Sequence, residues 1–170
     1  IVAIGMGIGG VALWAAVFHV ICHTLVKSSM FYQVGIMRHV YDSYSINRIG
    51  NYMSFNRVGA IGMILGTIVL LAFPPSPLFI SEIMIFKEIV AEGWWWLLIA
   101  MLLLMCVVIY AIWNRTLRMG YNPNQDNLHL SEVNLRLSYS AAILLAAAIV
   151  IGMWQPNFLK DAIDIIVNIG

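Results

Sequence analysis

Residues 11–37 read VALWAAVFHVICHTLVKSSMFYQVGIM, and this apolar stretch decides the fold. A helix over residues 12–36 would measure about 37 Å, enough to cross a hydrocarbon core of about 30 Å with some tilt. Three ionisable residues, His19, His23 and Lys27, stand inside it at intervals of four. Because four residues advance a helix by about 400° and about 6 Å, the three side chains form one stripe. A titratable stripe inside an apolar helix is typical of an ion pathway.

The composition of the whole chain indicates a membrane protein. Of its 170 residues, 62% are hydrophobic and 10% are charged, and the mean hydropathy is +0.89. A soluble domain carries about 25% charged residues. With a net charge of +1 and scattered basic residues, we predict no nucleic-acid partner. Cys22 and Cys106 stand singly in apolar runs, which predicts no redox chemistry.

A second apolar stretch, residues 58–90, is too long for one membrane crossing. As a continuous helix it would measure about 50 Å against a core of about 30 Å. Three prolines lie near its middle, Pro74, Pro75 and Pro77. Since proline removes a backbone donor and clashes with the preceding turn, we predict two half-helices, 58–73 and 78–90. Unwound backbone at membrane depth needs protein or a wet cavity around it, so the break also indicates a pathway.

The remaining segments complete the fold prediction. The tryptophans at 94–96 are typical of an aromatic belt ahead of a helix at 94–114, and a last span follows at 137–154. We predict an all-α, polytopic transmembrane helix bundle with one proline-broken helix, forming a single membrane domain over residues 1–170. Because the chain lacks an initiator methionine, we expect a C-terminal fragment of a larger subunit. The tail from Pro156 is expected to form a short interfacial helix.

The arginines predict the orientation of the chain in the membrane. They lie in the two predicted loops 37–57 and 115–136, namely Arg38, Arg48, Arg57, Arg115, Arg118 and Arg136. The positive-inside rule places both loops in the cytoplasm and the C-terminus outside. We therefore expect a multi-pass protein of a bacterial or archaeal inner membrane, surrounded by lipid.

Four residues form the candidate site, namely His19, His23, Lys27 and Glu82 of the second half-helix. A charge at the bilayer centre costs about 2.5 to 3.5 kcal/mol, which favours a functional role for Lys27 and Glu82. Histidine exchanges protons near neutral pH, and water can bridge side chains one turn apart. A structural role stays open, because a histidine can simply hydrogen-bond a neighbouring helix, and Lys27 and Glu82 could form a static ion pair.

Two histidines at a spacing of four also suit a zinc ion. No third cysteine, histidine or carboxylate follows His19 and His23 closely in the sequence. We therefore predict no metal site and no cofactor in this chain.

Two blocks of sequence resemble a known family. Residues 18–31, FHVICHTLVKSSMF, resemble the H-x3-H-x3-K signature of antiporter-like, proton-conducting membrane subunits. These subunits occur in respiratory complex I, Mrp-type antiporters, energy-converting NiFe hydrogenases and formate hydrogenlyases. Residues 73–82, FPPSPLFISE, look like the family's discontinuous helix, whose break precedes a functional glutamate or lysine. The run at 27–35, KSSMFYQVG, is most similar to the hydrogenase-type branch.

This resemblance implies a role for each site residue. Lys27 would be the central relay lysine, His23 and His19 its relay neighbours, and Glu82 the carboxylate of the exit half-channel. The chain would be a proton-translocating subunit of a redox-driven complex of the NADH:quinone oxidoreductase or hydrogenase type. It would hold no redox centre and would have other membrane and peripheral subunits as partners. Two alternatives stay open, namely a non-conducting membrane scaffold of such a complex and a sodium/proton antiporter subunit.

Overall fold

The computed structural model describes residues 1–46, 48–121 and 135–169, and all regular structure in these ranges is helical. The helices are α1 (Val2–Ile8), α2 (Gly10–Tyr41), α3 (Tyr52–Phe55), α4 (Arg57–Leu70), α5 (Pro77–Ala91), α6 (Trp95–Tyr121), α7 (Leu135–Trp154) and α8 (Asn157–Ile169). Three of them, α2, α6 and α7, are long and apolar enough to cross a membrane. The prediction of an all-α membrane bundle is confirmed.

Helix α2 is the centre of the bundle and touches α1, α4, α5, α7 and α8. The prediction that this helix ends at residue 36 is wrong, because it continues to Tyr41 and stops at Asp42 in the left-handed conformation (φ 46°). The extra turn is helical because Val40 and Tyr41 are buried in an apolar cluster beside α3. Arg38 lies on the outer face, where it pairs with Asp42 at 2.7 Å. Burial of Val40 and Tyr41 thus keeps this turn helical, although the charge of Arg38 interrupts the apolar sequence.

The second apolar stretch forms two helices, α4 and α5, with residues 71–76 between them. Its first half ends at Leu70, three residues earlier than predicted, because Ala72 adopts a positive φ of 52° ahead of the prolines. Ser76 begins α5, where its Oγ accepts a hydrogen bond from the backbone N–H of Phe79 (3.1 Å). Pro77 follows at the first helical position, where a missing N–H costs nothing.

Both helices lie against α2 in the opposite chain direction. Gly62 of α4 faces Gln33, and Ser81 of α5 faces His19. Ala72, in the break between α4 and α5, packs in one cluster with Phe18 and Cys22 of α2. That α4 and α5 make a single interrupted membrane crossing stays a prediction.

Helix α7 packs closely against α5, and α4 packs closely against α2, because glycines let these helices approach. Gly152 of α7 lies against the ring of Pro77, and Gly66 of α4 lies against the side chain of Met30 of α2. A Cβ atom at either glycine would overlap these neighbours. Gly152 therefore fixes the distance between α7 and the start of α5.

Helix α6 is longer than predicted and reaches Tyr121 rather than residue 114. Its last turns are held by contacts to α3 and α4, including an approach of the Thr116 and Thr67 hydroxyl oxygens at 3.3 Å. The predicted polar loop 115–136 therefore begins as helix, and its part at 122–134 lies outside the described residues. Most of the other side chains of α6 are exposed and apolar, as expected for a helix surrounded by lipid or by other membrane helices.

Helix α8 is amphipathic. Leu159 and Ile163 are buried against α2, whereas Lys160, Asp161 and Asp164 are exposed. This arrangement agrees with a helix at the membrane boundary, and its depth in the bilayer stays a prediction.

Candidate ion-relay site

The two histidines of the α2 stripe stand one turn apart and face the same way. Their ring centroids are 5.6 Å apart and the rings are nearly parallel, with an interplanar angle of 20°. His19 is 8% exposed, and His23 is half-buried. The helical spacing alone brings them together, because residues i and i+4 are neighbours on a helix surface.

Ser81 of α5 fixes the orientation and the tautomer of His19. The distance from His19 Nδ1 to Ser81 Oγ is 2.8 Å, and Ser81 Oγ donates to the carbonyl oxygen of Leu78, also at 2.8 Å. A serine hydroxyl has one hydrogen, so Ser81 must accept at its other contact. Nδ1 of His19 therefore carries the proton and donates it to Ser81. Nε2 is left with a free lone pair, as a neutral imidazole requires.

Glu82 follows Ser81 on α5 and is 7% exposed. Lys27 and Glu82 both lie in the described ranges, and no salt bridge joins them. The static ion pair that the sequence left open is thus not formed within this chain. A buried carboxylate without such a partner is expensive, which favours a functional role over a structural one.

His19, His23 and Glu82 line one cavity of about 410 Å³. Its other walls are apolar and come from α1, from α6 and from Leu70 and Leu71 at the start of the break. At about 30 Å³ per molecule, the cavity has room for several waters beside the three polar groups. The structure thus brings together two stripe residues and the carboxylate that lies 59 positions after His23 in the sequence.

Lys27 does not share this cavity. Its side chain is exposed in this chain, and its role as the central relay lysine stays a prediction. Lys27 lies one turn beyond His23, on a face of α2 that α4, α5 and α7 leave open. The stripe therefore runs from a half-enclosed cavity to an uncovered helix face.

A second group of polar side chains was not predicted and lies at the other end of the bundle. Asn56 Nδ2 donates to the hydroxyl oxygens of Tyr52 (2.8 Å) and Ser138 (2.6 Å), and Asn56 Oδ1 accepts from the N–H of Gly59 (2.9 Å). Burial raises the pKa of Tyr52 to about 12, so this phenol is neutral at physiological pH. The available signal was Asn56 itself, a helix-capping residue immediately before an apolar run.

No metal site emerges from the part of the chain that the structure describes. Within it, no three histidine, cysteine, aspartate or glutamate side chains lie close enough to hold an ion. His19, His23 and Glu82 thus offer proton-exchanging groups around a cavity.

Comparison with known proteins gives a consistent result. Residues 1–109 match the family model described as "NADH:quinone oxidoreductase/Mrp antiporter, TM". The chain is 28% identical over 163 residues to a Na(+)/H(+) antiporter subunit of Bacillus subtilis (strain 168), covering 88% of this chain and 20% of that protein. It is 27% identical over 94 residues to the hydrogenase-4 component F homolog of Methylacidiphilum infernorum (isolate V4), covering 55% of this chain and 20% of that protein.

A third relative, the corresponding Na(+)/H(+) antiporter subunit of Alkalihalophilus pseudofirmus, is 24% identical over 165 residues, covering 89% of this chain and 20% of that protein. The chain thus spans about a fifth of the length of each of these relatives. The family match covers 109 of 170 residues and includes the whole candidate site, from His19 to Glu82. The helical membrane architecture and the family match together show that this chain belongs to the family of transmembrane subunits of NADH:quinone oxidoreductases and Mrp antiporters.

Proposed function

We propose that this chain is the part of a proton-translocating membrane subunit that relays protons through His19, His23, Lys27 and Glu82. The observation that carries the proposal is the shared cavity, into which α2 brings two histidines and α5 brings a carboxylate. All three exchange protons without a metal or cofactor. The surrounding helices are apolar, so these polar groups have few other uses at this depth.

The hydrogen-bond geometry of His19 supports this proposal. Because Nδ1–H of His19 donates to Ser81 Oγ, the lone pair on Nε2 is the position at which His19 accepts a proton from water. A proton reaching His23 from the Lys27 end of the stripe would pass through cavity water to His19 or directly to Glu82. Residues 71–76 lie outside the helical ladder, so the cavity wall near Leu71 can adjust when Glu82 changes its charge.

The open face of α2 indicates that the site is completed by further helices. Lys27 is exposed in this chain, and a lysine in a membrane needs a polar or charged partner. Other membrane subunits, or further parts of the same subunit, would supply that partner. Redox chemistry in peripheral subunits would then drive the changes in charge of the relay residues. In this proposal the arginine-bearing segments 37–57 and 115–136 face the cytoplasm, and the C-terminus lies outside the inner membrane.

Charge removal on α5 tests the proposal. In the full-length subunit within its complex, Glu82→Gln should lower proton translocation by about a hundredfold, the usual contribution of a proton-transferring group. Glu88→Gln is the matched control, because Glu88 is on the same helix and does not line the cavity. Both variants should assemble at the wild-type level. Equal translocation by the two variants would refute the role of Glu82, and loss of assembly in Glu82→Gln alone would support the scaffold alternative.

A sodium/proton antiporter subunit is the second candidate. Two of the relatives are named as Na(+)/H(+) antiporter subunits, and a buried carboxylate beside a cavity can bind a sodium ion. Proton flux in proteoliposomes separates the two functions. An antiporter requires a sodium gradient for this flux, whereas a redox-driven subunit requires electron transfer and is indifferent to sodium.

A further inference from the structure

Gln33 is a fully buried amide that has only part of its hydrogen bonds. Its side chain is 0% exposed, and within the described part of the chain it makes one hydrogen bond, from Nε2 to the carbonyl oxygen of Ser138 at 3.5 Å. Oε1 accepts no hydrogen bond from any residue in the described ranges. If Oε1 and Nε2 were exchanged, Oε1 would face the carbonyl oxygen of Ser138, and neither oxygen could donate a hydrogen bond. The orientation with Nε2 toward Ser138 is therefore the better one. Among the described residues, this buried amide oxygen therefore has no donor.

A chain of polar contacts leads from this position through Ser138 of α7 and Asn56 to Tyr52 of α3. The carbonyl oxygen of Ser138 accepts from Gln33 Nε2, and the hydroxyl oxygen of Ser138 accepts from Asn56 Nδ2. Asn56 Nδ2 also donates to the hydroxyl oxygen of Tyr52. Gly62 of α4 faces the Gln33 amide, and a Cβ there would come within 3.2 Å of Nε2. Gln33 is thus at the junction of α2, α4 and α7, on the side of the bundle that carries the loop 42–51.

A purely structural role for Gln33 would be to hold α2 against α7. Ser29, one turn away on the same helix, already does this with a 2.7 Å bond to the carbonyl oxygen of Ala141. The bond from Gln33 is at the limit of hydrogen-bond length and leaves its oxygen unsatisfied. Holding the helices together therefore does not account for a buried glutamine. An additional donor does account for it, because buried polar groups are normally satisfied by protein or water.

This junction is separate from the cavity of Glu82. An apolar layer of Val26, Val69, Leu145 and Ala148 lies between the two regions. A partner that reaches Gln33 from the loop side does not have to cross this layer. A water molecule fits the requirement, since it is small, neutral and able to donate to Oε1 while accepting from a neighbour.

We propose that Gln33 Oε1 binds a buried water molecule at the junction of α2, α4 and α7, and that this water is the loop-side access point of the proton path. The second half of this inference rests on the proposed function, whereas the binding site itself does not. Gln33 is a positioning residue, because an amide holds water in place and does not itself give up a proton at neutral pH. Protons would reach the stripe of α2 only when water crosses the apolar layer.

The binding site is tested by a high-resolution cryo-EM map of the whole complex. We expect a density peak at about 2.7 to 3.2 Å from Gln33 Oε1. A map that resolves other internal waters but shows no peak there would overturn the proposal. This arm needs no variant, so it remains decisive even if substitutions at Gln33 impair folding.

The access role is tested with Gln33→Met, which keeps the length of the side chain and removes its amide. Ser29→Ala is the matched control, because it removes a buried polar contact between the same two helices. We expect proton translocation to fall about tenfold in Gln33→Met, a change equal to about 1.4 kcal/mol, and to return in Gln33→Glu. Equal translocation by Gln33→Met and Ser29→Ala would overturn the access role. If the density is present while Glu82→Gln translocates normally, the proposed relay fails and the water site stands.

Discussion

Removing the hydroxyl of Ser81 should uncouple His19 from α5. In Ser81→Ala, the Nδ1 proton of His19 loses its acceptor at 2.8 Å, in a position where the ring is 8% exposed. An unsatisfied buried donor costs about 1 to 3 kcal/mol, so we expect a loss of about 2 kcal/mol in the free energy of unfolding. The imidazole also becomes free to exchange tautomers and rotate, which removes the fixed direction of Nε2. Proton translocation should therefore fall about tenfold, which corresponds to about 1.4 kcal/mol.

The control for this variant is Ser140→Ala. Ser140 on α7 makes the same type of bond as Ser81, donating to the carbonyl oxygen of Leu137 at 2.8 Å, but it is exposed and does not contact His19. An exposed change of this kind stays within about 0.5 kcal/mol. The two readouts are proton flux in proteoliposomes and unfolding of the subunit in detergent. If both alanine variants lose the same stability and the same flux, the assigned role of Ser81 is refuted.

Two further predictions concern the packing of the bundle. Gly152→Ala should destabilise the subunit by about 1 to 3 kcal/mol through overlap with Pro77, whereas Gly35→Ala, with open space around it, should raise stability by about 0.5 to 1 kcal/mol. Thermal unfolding of the two variants distinguishes them, and a stable Gly152→Ala would contradict the close approach of α7 to α5. Asn56→Ala removes the N-cap of α4 and the donor to Ser138, so its unfolding free energy should drop by about 1 to 3 kcal/mol; Asn56→Asp keeps the cap and should lose less. An equal loss in both Asn56 variants would contradict the capping role.

The helices themselves were largely predictable from the sequence, because membrane-spanning segments are long apolar runs. The end of α2 was not, since Val40 and Tyr41 stay helical through burial against residues beside α3 that follow later in the chain. The start of α5 was signalled locally by Ser76 and Pro77, a capping residue followed by proline. The local sequence did not indicate which helix the start of α5 packs against. Local chemistry thus predicted where helices begin, and tertiary contacts decided where one of them ends.

The candidate site was predictable in part for the same reason. The spacing of His19 and His23 alone placed both on one face of α2, and the structure agrees. The contact between His19 and Ser81 joins residues 62 positions apart, which no periodicity can indicate. The exposure of Lys27 also depends on which faces of α2 the other helices cover. Gln33 shows no local signal, because its missing donor is visible only once α4 and α7 are in place.

The most direct test of the relay is the number of protons translocated per electron by the complete complex carrying Glu82→Gln. We expect this number to fall about a hundredfold, with assembly intact and with Glu88→Gln close to the wild type. An unchanged number of protons per electron in Glu82→Gln would contradict the claim that protons leave the histidine stripe through this carboxylate.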